Sequence, residues 1–200
     1  KEAAEILSAN GIVAFPTETV YGLGASAFSE EAVTQVYKIK NRPFFNPLII
    51  HVSSYDMATE HGVFNGSADK LVQKYWPGPL SIILNKRKSD VVSFATASLD
   101  TIALRCPSNT IANRLIKELK KPIAAPSANK SGKLTCTNAG DIFTKLKNDI
   151  NAVIDGGGAQ LGLESTVVDC SVEKPRIVRL GNITIDEISS CIGYKISTYL

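Results

Sequence analysis

The chain has 200 residues, 44% of them hydrophobic and 20% charged, which is ordinary for a soluble globular protein and sufficient for one domain over residues 1–200. Its 22 basic and 19 acidic residues leave a net charge of +3, too mild to argue for nucleic acid by itself. Four cysteines without a CxxC pair (Cys106, Cys136, Cys170, Cys191) point away from a zinc site or a disulfide framework and suit a reducing cytosol, hence a cytoplasmic protein. No apolar run approaches the roughly 18 residues of a membrane span, and no signal peptide is visible. The chain starts at Lys1 rather than methionine, which reads as a trimmed start.

Periodicity predicts a helix near residues 2–9 and a strand over 11–15. Pro16-Thr17-Glu18-Thr19-Val20-Tyr21-Gly22-Leu23-Gly24 follows, with hydroxyls, a carboxylate and a phenol before two glycines. A helix start with proline in its first turn accounts for part of that pattern. Next comes a helix over 30–40, capped by Ser29, with Glu30 and Glu31 where the dipole favours acids. Its inward stripe is Ala32, Val33, Val36 and Tyr37, and Lys40 continues it, whereas Lys38 faces solvent. An inward lysine needs a partner, and no acid is close in sequence. It either snorkels at the helix end or belongs to an anion site with Arg42. Strands follow over 47–52, ending near His51, then 80–84 and 101–106, with a helix near 67–75 between the first two. Alternation puts Thr101, Ala103 and Arg105 on one strand face and Ile102, Leu104 and Cys106 on the other. A helix over 108–120, capped by Ser108 or Asn109, leads to a strand over 122–125 and the polar run Ser127-Ala128-Asn129-Lys130-Ser131-Gly132. A helix over 138–146, capped by Thr137 or Asn138, is followed by strands over 152–155, 166–170 and 176–180 and a helix over 185–192. Strands and helices mix without strict alternation, so the expected class is α/β, a mixed sheet flanked by helices.

The chemistry-bearing residues gather at strand ends, where open α/β sheets bind ligands. Arg105, Ser127, Asn129 and Arg179 all fall there. Asp155-Gly156-Gly157-Gly158 is either a phosphate cradle or a flexible turn. No P-loop, GxGxxG, GxSxG or metal-ligand spacing is present, and His61 lies among loop-like residues as an inert side chain. What remains is lysine, arginine, hydroxyls and an amide, a set suited to positioning and charge neutralisation in phosphoryl or nucleotidyl transfer.

Five motifs in order resemble the YrdC-like family of threonylcarbamoyl-AMP synthases: Pro16-Thr17-Glu18-Thr19-Val20-Tyr21-Gly22-Leu23, Lys40-x-Arg42-Pro43-x-x-Asn46-Pro47-Leu48-Ile49-Ile50-His51, Trp76-Pro77-Gly78-Pro79-Leu80, Ala125-Pro126-Ser127-Ala128-Asn129-x-Ser131-Gly132 and Gly162-Leu163-Glu164-Ser165-Thr166-Val167-Val168-Asp169. The resemblance implies a twisted mixed sheet around a basic concavity, in the short single-domain form. It also implies a nucleotidyltransferase that condenses L-threonine, bicarbonate and ATP, with Mg²⁺ assisting, to threonylcarbamoyl-AMP and pyrophosphate. The product would pass to a tRNA threonylcarbamoyl transferase complex acting at adenosine 37 of ANN-decoding tRNAs, with weak tRNA binding and no membrane partner. By position, Lys40 and Arg42 would be catalytic, neutralising the triphosphate. Asn46, Thr101, Ser127, Asn129, Thr137 and Arg179 would hold ATP. Thr19, His51, Arg105, Ser127 and Ser165 would hold threonine, with no protein-bound metal. Thr135-Cys136-Thr137 and Arg179-Leu180-Gly181 depart from the family's usual Ser-Pro-Thr and Arg-Pro-Gly. The alternatives are a carbamoyl-adenylate-forming domain of the hydrogenase-maturation kind and a non-catalytic RNA-binding module. The first normally travels with acylphosphatase and zinc-finger modules, and the second lacks an aromatic platform here.

Overall fold

The computed structural model describes residues 1–129 and 135–199, so Ser131 and Gly132 of the fourth motif lie outside the described residues. In chain order the helices are α1 (Glu2–Ser8), α2 (Glu30–Lys40), α3 (Tyr55–Thr59), α4 (Gly66–Tyr75), α5 (Thr110–Leu119), α6 (Ala139–Leu146) and α7 (Ile185–Ile192). The strands are β1 (Val13–Phe15), β2 (Gly22–Ser26), β3 (Ile49–His51), β4 (Gly62–Val63), β5 (Leu80–Lys86), β6 (Thr101–Arg105), β7 (Ile123–Ala124), β8 (Ala152–Val153), β9 (Thr166–Asp169), β10 (Arg176–Arg179) and β11 (Ser197–Thr198). They form one sheet in the order β11-β10-β9-β5-β6-β3-β7-β2-β1-β8, with β4 beside β5. The β3–β6, β5–β9, β1–β8 and β10–β11 pairs are parallel, and β1–β2, β5–β6 and β9–β10 are antiparallel. This is the mixed sheet expected from the sequence. Among the described residues no helix is long and apolar enough to cross a membrane.

Local chemistry sets the helix ends. The Ser29 side chain accepts the Ala32 N–H at α2, Asn109 accepts from Ile111 and Ala112 at α5, and Asn138 accepts from Asp141 at α6. Helix α2 stops at Asn41, which takes the left-handed conformation (φ 52°) and turns the chain so that Arg42 leaves the helix.

The sheet buries its two faces differently. One face carries Ala14, Leu23, Ile50, Ile82 and Leu104 into the larger core against α2 and α4. The other carries Val13, Phe15, Ile123 and Ala125, packed under Ala4 and Leu7 of α1 and Leu115, Ile116 and Leu119 of α5. His51 pairs in register with Ile123 on one side and Arg105 on the other, so all three share this second face. The Phe15 ring meets the His51 ring edge-on at 5.9 Å. Helices α1 and α5 thus cover the β1–β2–β7 end, and the cleft opens on the same face at β3 and β6.

Apart from the helix start at Pro16-Thr17, each predicted helix and strand is present, with ends within two residues of those expected. No strand is expected over Gly22–Ser26, because glycine weakens strands. The reason for the glycines is steric. A Cβ at Gly24 would meet Phe15 Cε1 at 2.7 Å and Ile123 Cγ2 at 2.8 Å. The helix start read into Pro16-Thr17 is corrected: no helix forms there, and Thr17 Oγ1 instead donates to the Val20 carbonyl at 2.6 Å and accepts the N–H groups of Thr19 and Val20. Elements α3, β4 and β11 are too short to show a period.

Gly181 holds two strands together at close range. A Cβ there would lie 2.4 Å from both the Glu164 carbonyl oxygen and the Thr166 amide nitrogen, and no rotamer can move either atom away. Gly181→Ala is expected to cost on the order of 1–3 kcal/mol, read as a lower urea midpoint with unchanged slope.

Candidate active site

Lys40 lies on the inward face of α2, 2% exposed. Its Nζ donates to the main-chain carbonyls of Ser127 and Asn129 in the segment after β7. Its partners are therefore backbone oxygens that sequence spacing cannot reveal, and the snorkelling alternative is excluded by burial. Burial first, and then the neighbouring Arg42, push the Lys40 pKa down to about 8, while Glu164 opposes the shift.

Arg42 is wrapped by its own loop. Nε donates to the Asn46 carbonyl and Nη2 to the Pro47 carbonyl, each at 3.0 Å, so three of its five donors remain for a ligand. Asn46 thus contributes its main chain, also accepting the Tyr37 hydroxyl at 3.0 Å, and its side chain is exposed. Burial lowers the Arg42 pKa most, and among the smaller influences Glu164 raises it and Arg179 lowers it further. Arg179 in turn is held by Glu164 (Nη1–Oε2 2.5 Å), the Ser165 carbonyl (3.1 Å from Nε) and the Ser165 hydroxyl (3.1 Å from Nη2). Ser165 Oγ also lies 2.7 Å from Ser81 Oγ.

The other end of the site is built by strand register. Thr19 is fully buried with its Oγ1 2.8 Å from that of Thr17. His51 has Nδ1 3.2 Å from the Ile49 carbonyl. Burial first, and then Arg105, hold its pKa down to about 3, so the ring is neutral at any ordinary pH. Arg105 Nη2 lies 2.7 Å from Glu18 Oε1, and both side chains are nearly buried. Glu18 was not selected from the sequence as a site residue. The available signal is that a buried guanidinium needs a partner, which a nearby acid such as Glu18 can supply.

These groups line one cleft open to solvent. Of the predicted residues, Thr19, Arg42, His51, Arg105, Ser127, Ser165 and Arg179 share its wall, and Glu164 joins them. Lys40 and Asn129 lie behind that wall, joined through the Asn129 carbonyl. Thr101 is on the cleft-bearing face but starts β6, about 13 Å back along the strand from Arg105, and it is not part of the wall. Thr137 is also outside the wall, and its carbonyl accepts the Ala159 N–H at 2.7 Å. The glycine run is a pinned turn: the Tyr21 hydroxyl donates to the Gly157 carbonyl at 2.8 Å and accepts the Gly156 N–H at 3.1 Å, and Asp155 takes the Gly157 N–H at 3.0 Å. Two of the three amides of a would-be phosphate cradle are thus already bonded. His61 is buried edge-on to Phe28, at 6.0 Å, and is not a cleft residue. The cleft as built can receive two anionic groups, one at Arg42 and Arg179 and one at Arg105, with neutral hydrogen-bonding side chains beside the second.

The chain is 43% identical over 196 residues to the threonylcarbamoyl-AMP synthase of Pyrococcus abyssi, a match covering 96% of this chain and 56% of that protein. It is 42% identical over 193 residues to the Bacillus subtilis protein of the same name, with coverage of 96% and 56%. Its backbone matches the crystal structure of P. abyssi Sua5 complexed with L-threonine with a TM-score of 0.95 at 41% identity, covering 99% of this chain and 58% of that one. The chain spans about half the length of these curated relatives. The Sua5/YciO/YrdC family profile, described as telomere recombination, matches residues 5–181. The chain belongs to the Sua5/YciO/YrdC family.

Proposed function

We propose that this cleft condenses L-threonine, bicarbonate and ATP to threonylcarbamoyl-AMP and pyrophosphate, a nucleotidyl transfer. The observation that carries this reading is the shared wall: two guanidinium groups, Arg42 and Arg179, stand beside a separate pocket of Thr19, His51, Arg105 and Ser165. The P. abyssi relative of known structure binds L-threonine, which supports the amino-acid half. In this reading Arg105 clamps the threonine carboxylate, and the buried hydroxyls of Thr19 and Ser165 hold its polar groups. A neutral His51 fits the hydroxyl or amine, because a neutral imidazole keeps one ring nitrogen as a hydrogen-bond acceptor. The free amine captures bicarbonate carbon with loss of water. The resulting carbamate oxygen then attacks the α-phosphorus of ATP and pyrophosphate leaves. Arg42 and Arg179 offset the charge that develops on the leaving group. Lys40 fixes the Ser127–Asn129 segment through two carbonyls and adds its positive charge from behind the wall.

ATP enters as its magnesium complex in this scheme. The donor set of the cleft is cationic and hydroxylic, and its Glu164 carboxylate is already bonded to Arg179. Such a set suits an ion carried on the phosphates with its own waters, rather than one caged by the protein. The product is a reactive mixed anhydride, so an acceptor enzyme is needed close by; a transferase acting on tRNA adenosine 37 fills that place.

Protein supplied with ATP, Mg²⁺, threonine and bicarbonate is expected to form threonylcarbamoyl-AMP by mass spectrometry, with pyrophosphate release that requires threonine. Pyrophosphate released equally without threonine contradicts the proposal. Arg42→Ala should lower adenylate formation by on the order of 10²–10³-fold while leaving the circular dichroism spectrum unchanged; near-normal turnover removes the charge role. Lys40 loses its proton near pH 8 in the folded protein. At saturating threonine, kcat/KM for ATP should therefore fall as pH rises through about 8, and Lys40→Met, slower throughout, should lack that limb. A wild-type profile flat from about pH 7 to about pH 9.5 contradicts a requirement for the Lys40 charge.

A further inference from the structure

Arg105 reaches the cleft already paired. Its Nη2 donates to Glu18 Oε1 at 2.7 Å, and the two side chains are only 4% and 6% exposed. Glu18 Oε2 is engaged as well, accepting the N–H groups of Ser108 at 3.2 Å and Asn109 at 3.3 Å. Asn109 caps α5, so this oxygen sits at the positive end of a helix. The carboxylate is thus fixed by one cation and two amides and cannot swing without breaking all three. The guanidinium beside it is fixed in turn.

Arg105 has a second property that points outward. Its Nε is buried and has no hydrogen-bond partner. A buried guanidinium N–H without an acceptor is costly, and Arg105 lines the cleft next to its register partner His51. Glu18 takes one of the five donors and leaves the rest of the fork to a ligand. It also neutralises Arg105 as a pair. An incoming anion therefore meets a neutral, rigid hydrogen-bonding fork rather than a free cation, and geometry rather than net charge selects it.

We propose that Glu18 is the positioning residue for substrate-carboxylate recognition, acting through Arg105 by holding the guanidinium in the orientation that accepts an α-amino acid. This rests on the reading that threonine occupies the Arg105 pocket. Glu18 does not touch substrate in this scheme. Its effect falls on the amino-acid substrate and not on the nucleotide.

Glu18→Gln tests it. The glutamine carbonyl can still accept from Ser108 or Asn109, but its amide turns a donor toward Arg105. The KM for L-threonine should rise by about tenfold or more while the KM for ATP stays within about twofold. Preference for L-threonine over L-threoninamide should fall in parallel. Adding Glu18→Gln to Arg105→Gln should cost no further threonine affinity, since a positioning residue has nothing left to position. Glu18→Asp, which keeps the charge one methylene shorter, should recover part of the loss. If the glutamine variant does not fold, the aspartate variant carries the test, and a threonine KM raised about fivefold at constant ATP KM is then expected. An unchanged threonine KM, or KM values for both substrates rising together, overturns the role. Absence of threonine binding to the unaltered protein overturns the functional reading instead. The role of Glu18 is then read from the Arg105 Nε–H resonance, which should be sharp in the unaltered protein and broadened in Glu18→Gln; identical resonances overturn it.

Discussion

An ammonium group buried at the end of α2 has to be solvated by something, and in this protein the solvent is backbone. Lys40 gives N–H donors to the carbonyls of Ser127 and Asn129, far away in sequence. That contact joins the helix that ends the first half of the site to the segment that follows β7. Asn41 then takes the left-handed turn that releases Arg42, whose loop closes on itself through the Asn46 and Pro47 carbonyls. The Lys40 contact thus adds a helix-to-loop tie to a segment that backbone bonds from Leu23 to the Pro126 carbonyl and from Ala128 to the Tyr21 carbonyl already hold against β2. The arrangement also carries a cost, seen in the Lys40 pKa, which burial and Arg42 pull down to about 8.

Charge in the cleft is held in compensated pairs. Glu18 matches Arg105, Glu164 matches Arg179, and Arg42 rests on carbonyls rather than on an acid. Burying so many cations without such partners would favour their neutral forms or unfold the site. Paired cations still offer unused N–H donors to a ligand, and they hold a fixed direction while doing so. The neutrality of His51 belongs to the same design: beside Arg105 and under Phe15, a second positive charge could not be supported. The site is thus electrostatically preorganised for anions whose shape fits it, which suits a reaction needing orientation and charge dispersal more than covalent help.

Much of this was legible in the residues themselves. Alternation along Thr101–Arg105 correctly placed Arg105 opposite Leu104, and the helix of residues 30–40 was read to its ends from Ser29 and its apolar stripe. What stayed hidden depended on contacts distant in sequence. Lys40 has no partner legible in the sequence, because backbone carbonyls leave no mark there. Glu18 looked like one polar residue among several, since its pairing spans 87 positions. Strand β2 was masked by glycines whose purpose is to make room for Phe15 and Ile123. Thr101 and Thr137, which the resemblance implies as nucleotide contacts, lie outside the cleft wall in this structure.

The sheet face shared by His51 and Arg105 is the ligand-binding face of the proposed site. Methyl NMR of the folded protein titrated with L-threonine tests it most directly, because the two faces carry different methyl-bearing residues. Ala103, Ala125 and Thr19 belong to the cleft side, whereas Ile50 and Leu104 lie in the core on the opposite side. Shifts are expected at Ala103, Ala125 and Thr19 with Ile50 and Leu104 little moved. Shifts confined to the opposite face, or saturable binding that leaves Thr19 and Ala125 unmoved, would contradict it.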